Sequence, residues 1–582
     1  MIPTDDKMKS YFTSNGFDEA EKFQKDANIT DFFKADQARQ NAILNSTQIV
    51  ITEEEFHHAK RWLALAYITG GEHFFDDKRN EINHKMVYQK QGILPADGIK
   101  ISGANIKEKM DSVIPSITAD NVKNLYKRLV EKRPKYFFGQ NDDTEDKRAY
   151  DSTKKTVKLG DYISYSEMDF CSSLLQVSGD VNFVNSGGRQ NLGKKGKDDE
   201  YEKEGRIAAL VGARFEIEDG LESTNLMAGV FEGLSQTHSS SLGPDNQRAN
   251  FGRIQSVNKE FVEGHKEIWD EFYKNQNSEH DASGLLNERL QQRLYISYKK
   301  FFADAIADAE AINKKAHIRV VGLGDGFWAG GKGEQVGEAI GKAVAKILQE
   351  LSSENKNLIH TVEFCDYGKE NYIKGFDVGG GQNFKGSIEV TNNKIAPFSN
   401  KLLEESEVNK KLYVCFAWDS ASYVGNEYWK SPPHCFSLSG DPAAAACSSI
   451  PISMNPELNS QFLGKIKVVE RGSCNMVDII DASLNKDAKF SKSPQATMAV
   501  ASGGGGGADT PASASALTVD AQTNLKILQG IYGKANVVTI TGEENFFIRF
   551  QTRVKAEAHS EELSRREETF KIVGSRGGEK IC

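Results

Sequence analysis

No stretch of this sequence approaches the ~20 consecutive apolar residues needed to cross a bilayer as a helix. The N-terminus, MIPTDDKMKSYF, also lacks the charged-then-apolar order of a signal peptide. Both absences predict a soluble chain without a membrane span. A surplus of positive charge is missing too: the net charge is -9 over 582 residues. Phosphate backbones are gripped by clustered Lys and Arg whose binding releases counterions, so nucleic acid is not expected as a partner. The seven cysteines, Cys171, Cys365, Cys415, Cys435, Cys447, Cys474 and Cys582, are scattered and never form a CxxC pair. That pattern argues for reduced thiols rather than a disulfide framework. His57 and His58 are adjacent, and no histidine pair has helical ligand spacing, so neither a metal centre nor a cofactor is expected. Internal repeats are absent as well.

What is present is enough chain for several units, at roughly 150 residues per domain. Residues 1–150 are rich in Lys, Glu, Asp and Gln, with apolar residues at helical spacing in FHHAKRWLALAYI, Phe56 to Ile68, and predict a mostly helical N-terminal region. In 151–310 the apolar runs shorten. VNFV at Val181 to Val184 and RIAALVGARFEI at Arg206 to Ile217 read as strands of a mixed α/β region. This region leads into a long helix, on which Leu286, Leu290, Leu294, Tyr298, Phe301, Phe302 and Ile306 form one apolar stripe. Within 311–485, HIRVVGL (His317 to Leu323) enters a glycine-rich loop, then the amphipathic EQVGEAIGKAVAKILQEL (Glu334 to Leu351), then the strand IHTVEFCDY (Ile359 to Tyr367). Strand, helix, strand implies a right-handed parallel crossover and an α/β sheet. KLYVCFAWD, Lys411 to Asp419, has the continuous apolar character of a central strand covered on both faces. The Gly/Ala/Ser-rich 486–520 reads as a linker and 521–582 as a tail unit with two strand-like runs, ANVVTITG and NFFIRFQTRV.

In open α/β sheets, ligands bind beyond the carboxyl ends of the strands, and three polar clusters follow predicted strands. GLGDGFWAGG, Gly322 to Gly331, precedes a helix N-terminus, where backbone N–H groups and the helix dipole favour phosphate; a plain turn is the other reading, since no Rossmann or Walker spacing is present. In AWDSASYVGNEYW, Asp419 ends the central strand and Glu427 lies eight positions on in a Gly-Asn loop. In SLSGDPAAAACSS, Asp441 precedes Pro442 and a run of small residues, as a functional acid or simply as an N-cap.

These last two blocks, with IP at Ile450 and Pro451 and NP at Asn455 and Pro456, resemble the macrodomain-like ADP-ribosylarginine hydrolases. That family, formerly a domain of unknown function, includes the Legionella effector MavL. VVGLGDGFWAGG, VNSGGRQNLG (Val184 to Gly193) and LVGARFE (Leu210 to Glu216) are similar to further family blocks, and the resemblance spans about Tyr162 to Asn459. It departs from the family at Ser420 and Ala421, where a Gly-Asn pair is usual, and at KSPPHCF, Lys430 to Phe436. The resemblance implies a three-layer macrodomain-like module at 311–485 with Asp419, Glu427 and Asp441 as catalytic acids. It also implies ADP-ribose contacts from Gly322, Gly324, Gly326, Phe327, Trp328, Ser422, Tyr423, Gly425, Asn426 and Gly440. The implied partners are ADP-ribose and an arginine-ADP-ribosylated host protein, ubiquitin or another. A non-catalytic ADP-ribose reader and a scaffold are the alternatives. The chemistry suits the residue types: cleavage at ribose C1″ passes through an oxocarbenium-like state that carboxylates stabilise while one activates water, without a metal. EELSRREETF, Glu561 to Phe570, looks like the glutamate-rich signal of a type IV secretion substrate, or is a short charged helix.

Overall fold

The protein is described from a computed structural model. The described residues are 4–14, 32–69, 84–133, 174–188, 195–213, 284–365, 370–381, 388–393, 395–400, 409–418, 423–425 and 449–484, a few isolated positions between them, and four short strands after 536. Backbone packing divides the chain into two compact units, Met1–Lys492 and Ser493–Cys582.

The first unit is organised on one nine-stranded mixed sheet. Its strands are β1 (Gln48–Thr52), β2 (Gln176–Asn182), β3 (Glu204–Leu210), β4 (Lys315–Val320), β5 (Ile359–Cys365), β6 (Glu389–Asn393), β7 (Lys410–Ala417), β8 (Ile466–Val469) and β9 (Met476–Asp478), in the order β6-β5-β4-β7-β3-β2-β1-β8-β9. The five strands β6, β5, β4, β7 and β3 run parallel. β2 is antiparallel to both β3 and β1, and β1 is parallel to β8, so β1, β3, β4, β5 and β7 all end on the same edge. Strands drawn from 1–150, 151–310 and 311–485 therefore share one sheet. As its apolar run implies, β7 is central, lying between β3 and β4 with Leu412 to Phe416 buried.

Five helices matter for the site: α1 (Gln37–Ser46), α2 (Glu53–Thr69), α3 (Ala119–Glu131), α4 (Asn287–Ala311) and α5 (Gly333–Glu350). α2 covers the segment whose apolar spacing predicts a helix, and buries Phe56, Ala59, Trp62, Leu63 and Tyr67. α4 lies across the sheet, and its predicted apolar stripe, Leu290, Leu294, Tyr298, Phe301, Phe302 and Ile306, is buried. A second stripe, Arg293, Ser297, Lys300 and Asp304, is buried as well. Spaced by four, three and four, these residues share one helix face of mostly charged types. They meet the polar face of β1, β2 and β3, where Asp304 accepts from Arg206 (2.8 and 2.9 Å) and from Gln48 (2.7 Å). Lys300 Nζ donates to Glu55 Oε1 at 2.8 Å; burial pulls the Lys300 pKa down to about 8, and burial raises the Glu55 carboxyl.

β2 begins five residues before the VNFV run that marks it in sequence, and Phe183 makes only an isolated bridge, to Cys447. The reason is the same polar face. Gln176, Ser178 and Asp180 share one face and Gly179 interrupts the other, which leaves only Val177 and Val181 as an apolar signal. On the opposite face of the parallel half, Glu363 of β5 is buried and receives Arg319 Nε at 2.8 Å, Asn393 Nδ2 at 2.8 Å and His317 Nε2 at 3.1 Å.

α5 packs on α6 (Glu370–Val378) through glycine. A Cβ on Gly341 would overlap the Tyr372 carbonyl, and one on Gly375 would overlap the Glu338 carbonyl. Among the described residues no helix is long and apolar enough to cross a membrane. The second unit contributes a four-stranded sheet of β10 (Val537–Thr539), β11 (Phe546–Phe550), β13 (Glu579–Ile581) and β12 (Gly574–Arg576), ordered β10-β11-β13-β12. The expected strand runs of the tail coincide with β10 and β11. The linker 486–520 and Glu561 to Phe570 lie outside the described residues.

Candidate active site

Because β3, β7, β4 and β5 are parallel neighbours, the segments that follow them converge at one edge of the sheet, the position where open α/β sheets take their ligands. Glycine lets them converge closely. A Cβ on Gly212, just beyond β3, would sit 2.8 Å from Gly324 Cα, beyond β4. Gly324 has φ +69, and its own Cβ would fall 2.5 Å from the Ala213 carbonyl oxygen. The two loops thus meet backbone to backbone across the end of β7, joined further by Phe215 N–H donating to the Trp328 carbonyl at 2.6 Å. Only a residue without Cβ fits such contacts.

The strand-to-helix turn expected to cradle phosphate is present. Gly322, Gly324 and Gly326 lead into a 3-10 turn over Phe327–Ala329, the chain then passes through Gly330 (φ 54) and Gly331 (φ 87), and α5 begins at Gly333. Lys332 at its N-cap makes no side-chain capping hydrogen bond, and the first N–H groups of an α-helix have no partner within the helix. Gly322 is confined by Asp325 and Tyr372: a Cβ there would overlap the Tyr372 hydroxyl and both Asp325 carboxylate oxygens. The Tyr372 hydroxyl donates to Asp325 Oδ2, and the glycine-mediated contact of α6 on α5 brings that hydroxyl there. By contrast, no atom of the described residues lies within 4 Å of a Cβ built on exposed Gly326. Trp328 is half-buried against the core.

At the end of β7, Trp418 is fully buried, and its backbone N–H donates to the Leu210 carbonyl at 2.7 Å, extending the contact of β7 with β3. The guanidinium of buried Arg133, just past α3, stands 5.2 Å from the Trp418 ring. Asp419 is the next residue in the chain. Asp419, Ser422, Asn426, Glu427, Gly440 and Asp441 lie outside the described residues. Tyr423 and Gly425 are described. Tyr423 is buried, and its hydroxyl donates to Glu457 Oε1 at 2.9 Å, while Gly425 turns the chain at φ +74. Burial and the neighbouring Glu457 carboxylate push the Tyr423 pKa up, so the phenol keeps its proton.

Sequence reasoning singled out neither Asp325, Tyr372, Arg133 nor Glu457. Asp325, an acid between two glycines of the turn, was open to discovery from its position. The other three reach the site across 47, 285 and 34 positions of chain, counted from Tyr372 to Asp325, Arg133 to Trp418 and Glu457 to Tyr423, and carry no local signal.

The matched segment contains this whole edge: a family model described as ADP-ribosylhydrolase MavL-like matches residues 115–481. The chain belongs to this family. It is 27% identical over 388 residues to the ADP-ribosylarginine hydrolase CG3568 of Drosophila melanogaster, covering 61% of this chain and 73% of that protein. It is also 26% identical over 328 residues to the ADP-ribosylarginine hydrolase CG2909 of the same fly, covering 53% of this chain and 61% of the relative. The family match begins in the loop before α3 and ends in the helix Ile479–Leu484, so it takes in every strand of the large sheet except β1.

Proposed function

We propose that the chain hydrolyses the bond between ADP-ribose and arginine side chains of modified proteins, using Asp419, Glu427 and Asp441 at the carboxyl edge of a macrodomain-like core. The observation that carries this reading is the convergence of the β3 and β4 glycine loops over the end of β7, within a chain of an ADP-ribosylhydrolase family. Backbone N–H groups of the turn from Gly322 to Gly331 and of the start of α5 suit the pyrophosphate, and the α5 dipole adds to their attraction. Trp328 and the small residues around Gly440 offer surfaces for the rest of the nucleotide.

Cleavage follows from the residue types. As the C1″–N bond breaks, positive charge develops at C1″, and an ionised carboxylate facing it lowers the barrier. A second carboxylate takes a proton from water, whose oxygen bonds to C1″. The departing nitrogen is protonated and leaves as guanidinium, which a carboxylate holds through paired hydrogen bonds. Carboxyls that share one substrate pocket raise one another's pKa, which is how such a site can keep one of them protonated as a donor.

Asp419→Ala and Asp441→Ala are expected to lower turnover ~100-fold to ~10,000-fold without unfolding the protein. Glu427→Ala should also impair turnover, and Glu427→Asp less so. Parental rates in all three alanine variants would overturn the site. Action on a host protein after type IV secretion is the narrowest part of the proposal and is motivated by Glu561 to Phe570; a translocation assay with that segment deleted tests it.

A further inference from the structure

Two of the three proposed acids are carried on one short piece of chain, and Tyr423 stands at its centre, four residues after Asp419 and four before Glu427. What holds Tyr423 is a separate platform. Residues Ile450–Ser453 form a buried helical turn, and Met454, Asn455, Leu458 and Asn459 beyond it are buried. Asn459 Nδ2 donates to the Ser453 carbonyl at 2.7 Å and to the Leu44 carbonyl of α1 at 2.9 Å, which fastens the platform internally and to the body of the protein. Asn455 Oδ1 then accepts the Glu457 backbone N–H at 2.9 Å, closing an Asx turn around Pro456. That turn presents the Glu457 carboxylate outward, where Oε1 accepts the Tyr423 hydroxyl at 2.9 Å.

We infer that Glu457 is a positioning residue for hydrolysis, which holds the turn of residues 423–425, between Asp419 and Glu427 in the chain, through its hydrogen bond from Tyr423. The assignment rests on the proposed activity and adds to it. Tyr423 is only 5% exposed, which leaves its ring little freedom, and the hydrogen bond sets its remaining degree of freedom. A buried phenol that keeps its proton donates throughout the working pH range. The bond therefore ties Tyr423 to the buried platform of residues 450–459 and does not itself enter the chemistry.

The test compares Glu457→Ala, Glu457→Gln and Tyr423→Phe in the full chain, with an arginine-ADP-ribosylated protein as substrate and amide hydrogen exchange across 419–427 as a second readout. Because a misplacement of about 1 Å costs on the order of 100-fold, Glu457→Ala and Tyr423→Phe should lower kcat by roughly 10-fold to 100-fold and leave KM within about twofold. Exchange across 419–427 should quicken in both. Glu457→Gln retains an oxygen that accepts from the phenol and should stay within about threefold of the parent in kcat, with parental exchange. Parental kcat and exchange in Glu457→Ala would overturn the assignment, as would a Gln variant as slow as the Ala variant, which would make the charge the operative feature. Should Glu457→Ala fail to fold, Tyr423→Phe, which deletes one hydroxyl, decides alone. An inactive parent would sink the hydrolysis reading, while the exchange comparison would still decide this one.

Discussion

The two ends of the same parallel strands are built on opposite principles. At their starting edge, ions are buried: Arg206 contacts Asp304 at 2.8 Å, Asp180 at 3.3 Å and Asp308 at 3.7 Å. Lys411 joins Asp180 at 2.8 Å and Asp308 at 2.7 Å, and the Tyr413 hydroxyl donates to Asp308 at 2.9 Å. At their finishing edge, glycine backbones touch and Gly212, Gly322 and Gly324 leave no room for side chains. The first end locks α4 to β2, β3 and β7 in a single register, since charges out of place would remain buried and unpaired. The second end is the one on which the proposed site draws, for backbone N–H groups and for the acid that follows β7 in the chain. The buried ion pairs and the proposed chemistry thus lie at different edges of one sheet, and each edge can be broken separately.

The largest effect should come from the ionic edge. Asp304→Ala leaves Arg206 buried without its closest carboxylate, which commonly costs about 3–5 kcal/mol, so urea unfolding should shift to much lower concentration. Replacing Arg206 by Met and Asp304 by Leu together should recover most of that loss. If Asp304→Ala is as stable as the parent, the network does not lock the sheet.

At the glycine edge, Gly324→Ala must adopt φ +69 and press a Cβ against Ala213, a strain of roughly 1–3 kcal/mol. Binding of ADP-ribose, followed by calorimetry, should weaken with it. Gly326→Ala meets no atom of the described residues and should change stability by no more than about 0.5 kcal/mol. Equal effects of the two substitutions would mean that the backbone contact of the loops is unimportant.

The pH response sharpens the comparison by placing a third buried cluster with the ionic edge. Burial pushes the Asp308 carboxyl up, but Arg206 and Lys411 outweigh it and hold its pKa below the usual aspartate value. Burial likewise raises Glu363, yet His317, Arg319 and Asn393 bring it below the glutamate value. Carboxylates depressed in the folded state stabilise above their unfolded pKa, and that stability is lost as pH falls from about 4.5 through the folded values. His317 is also held low, by burial first and then by Arg319 and Lys410. Its folded form binds fewer protons than the unfolded one below about pH 6.5, so its effect too is loss of stability on acidification. Melting temperature should therefore fall from pH 6.5 downward, and His317→Gln should flatten the upper part of that fall. A melting temperature independent of pH between 6.5 and 4 would contradict these assignments.

The glycine edge was legible in the sequence, and the ionic edge was not. Apolar runs mark β4, β5 and β7, helical spacing marks α5, and the order of these elements places the Gly322 to Gly331 turn at a strand end. Those signals are local. The buried stripe of α4 has the residue types of a solvated face, and Gln176, Ser178 and Asp180 give β2 the look of a loop, because a charged face can be buried when its partners arrive from distant chain. The short β1, QIVIT, is likewise hidden between helices α1 and α2. For the proposed acids Asp419, Glu427 and Asp441 the pointer was the family resemblance of the blocks that carry them, whereas Arg133, Tyr372 and Glu457 make their contacts only through long-range packing.

Incubation of the full chain with a purified arginine-ADP-ribosylated protein, followed by chromatography of the released nucleotide, tests the central claim most directly. Free ADP-ribose should accumulate together with unmodified arginine, and an Asp419→Ala, Glu427→Ala, Asp441→Ala triple variant that still unfolds cooperatively should release none. Tight binding of ADP-ribose by the parent with no release would contradict hydrolysis and leave a reader of the modification in its place.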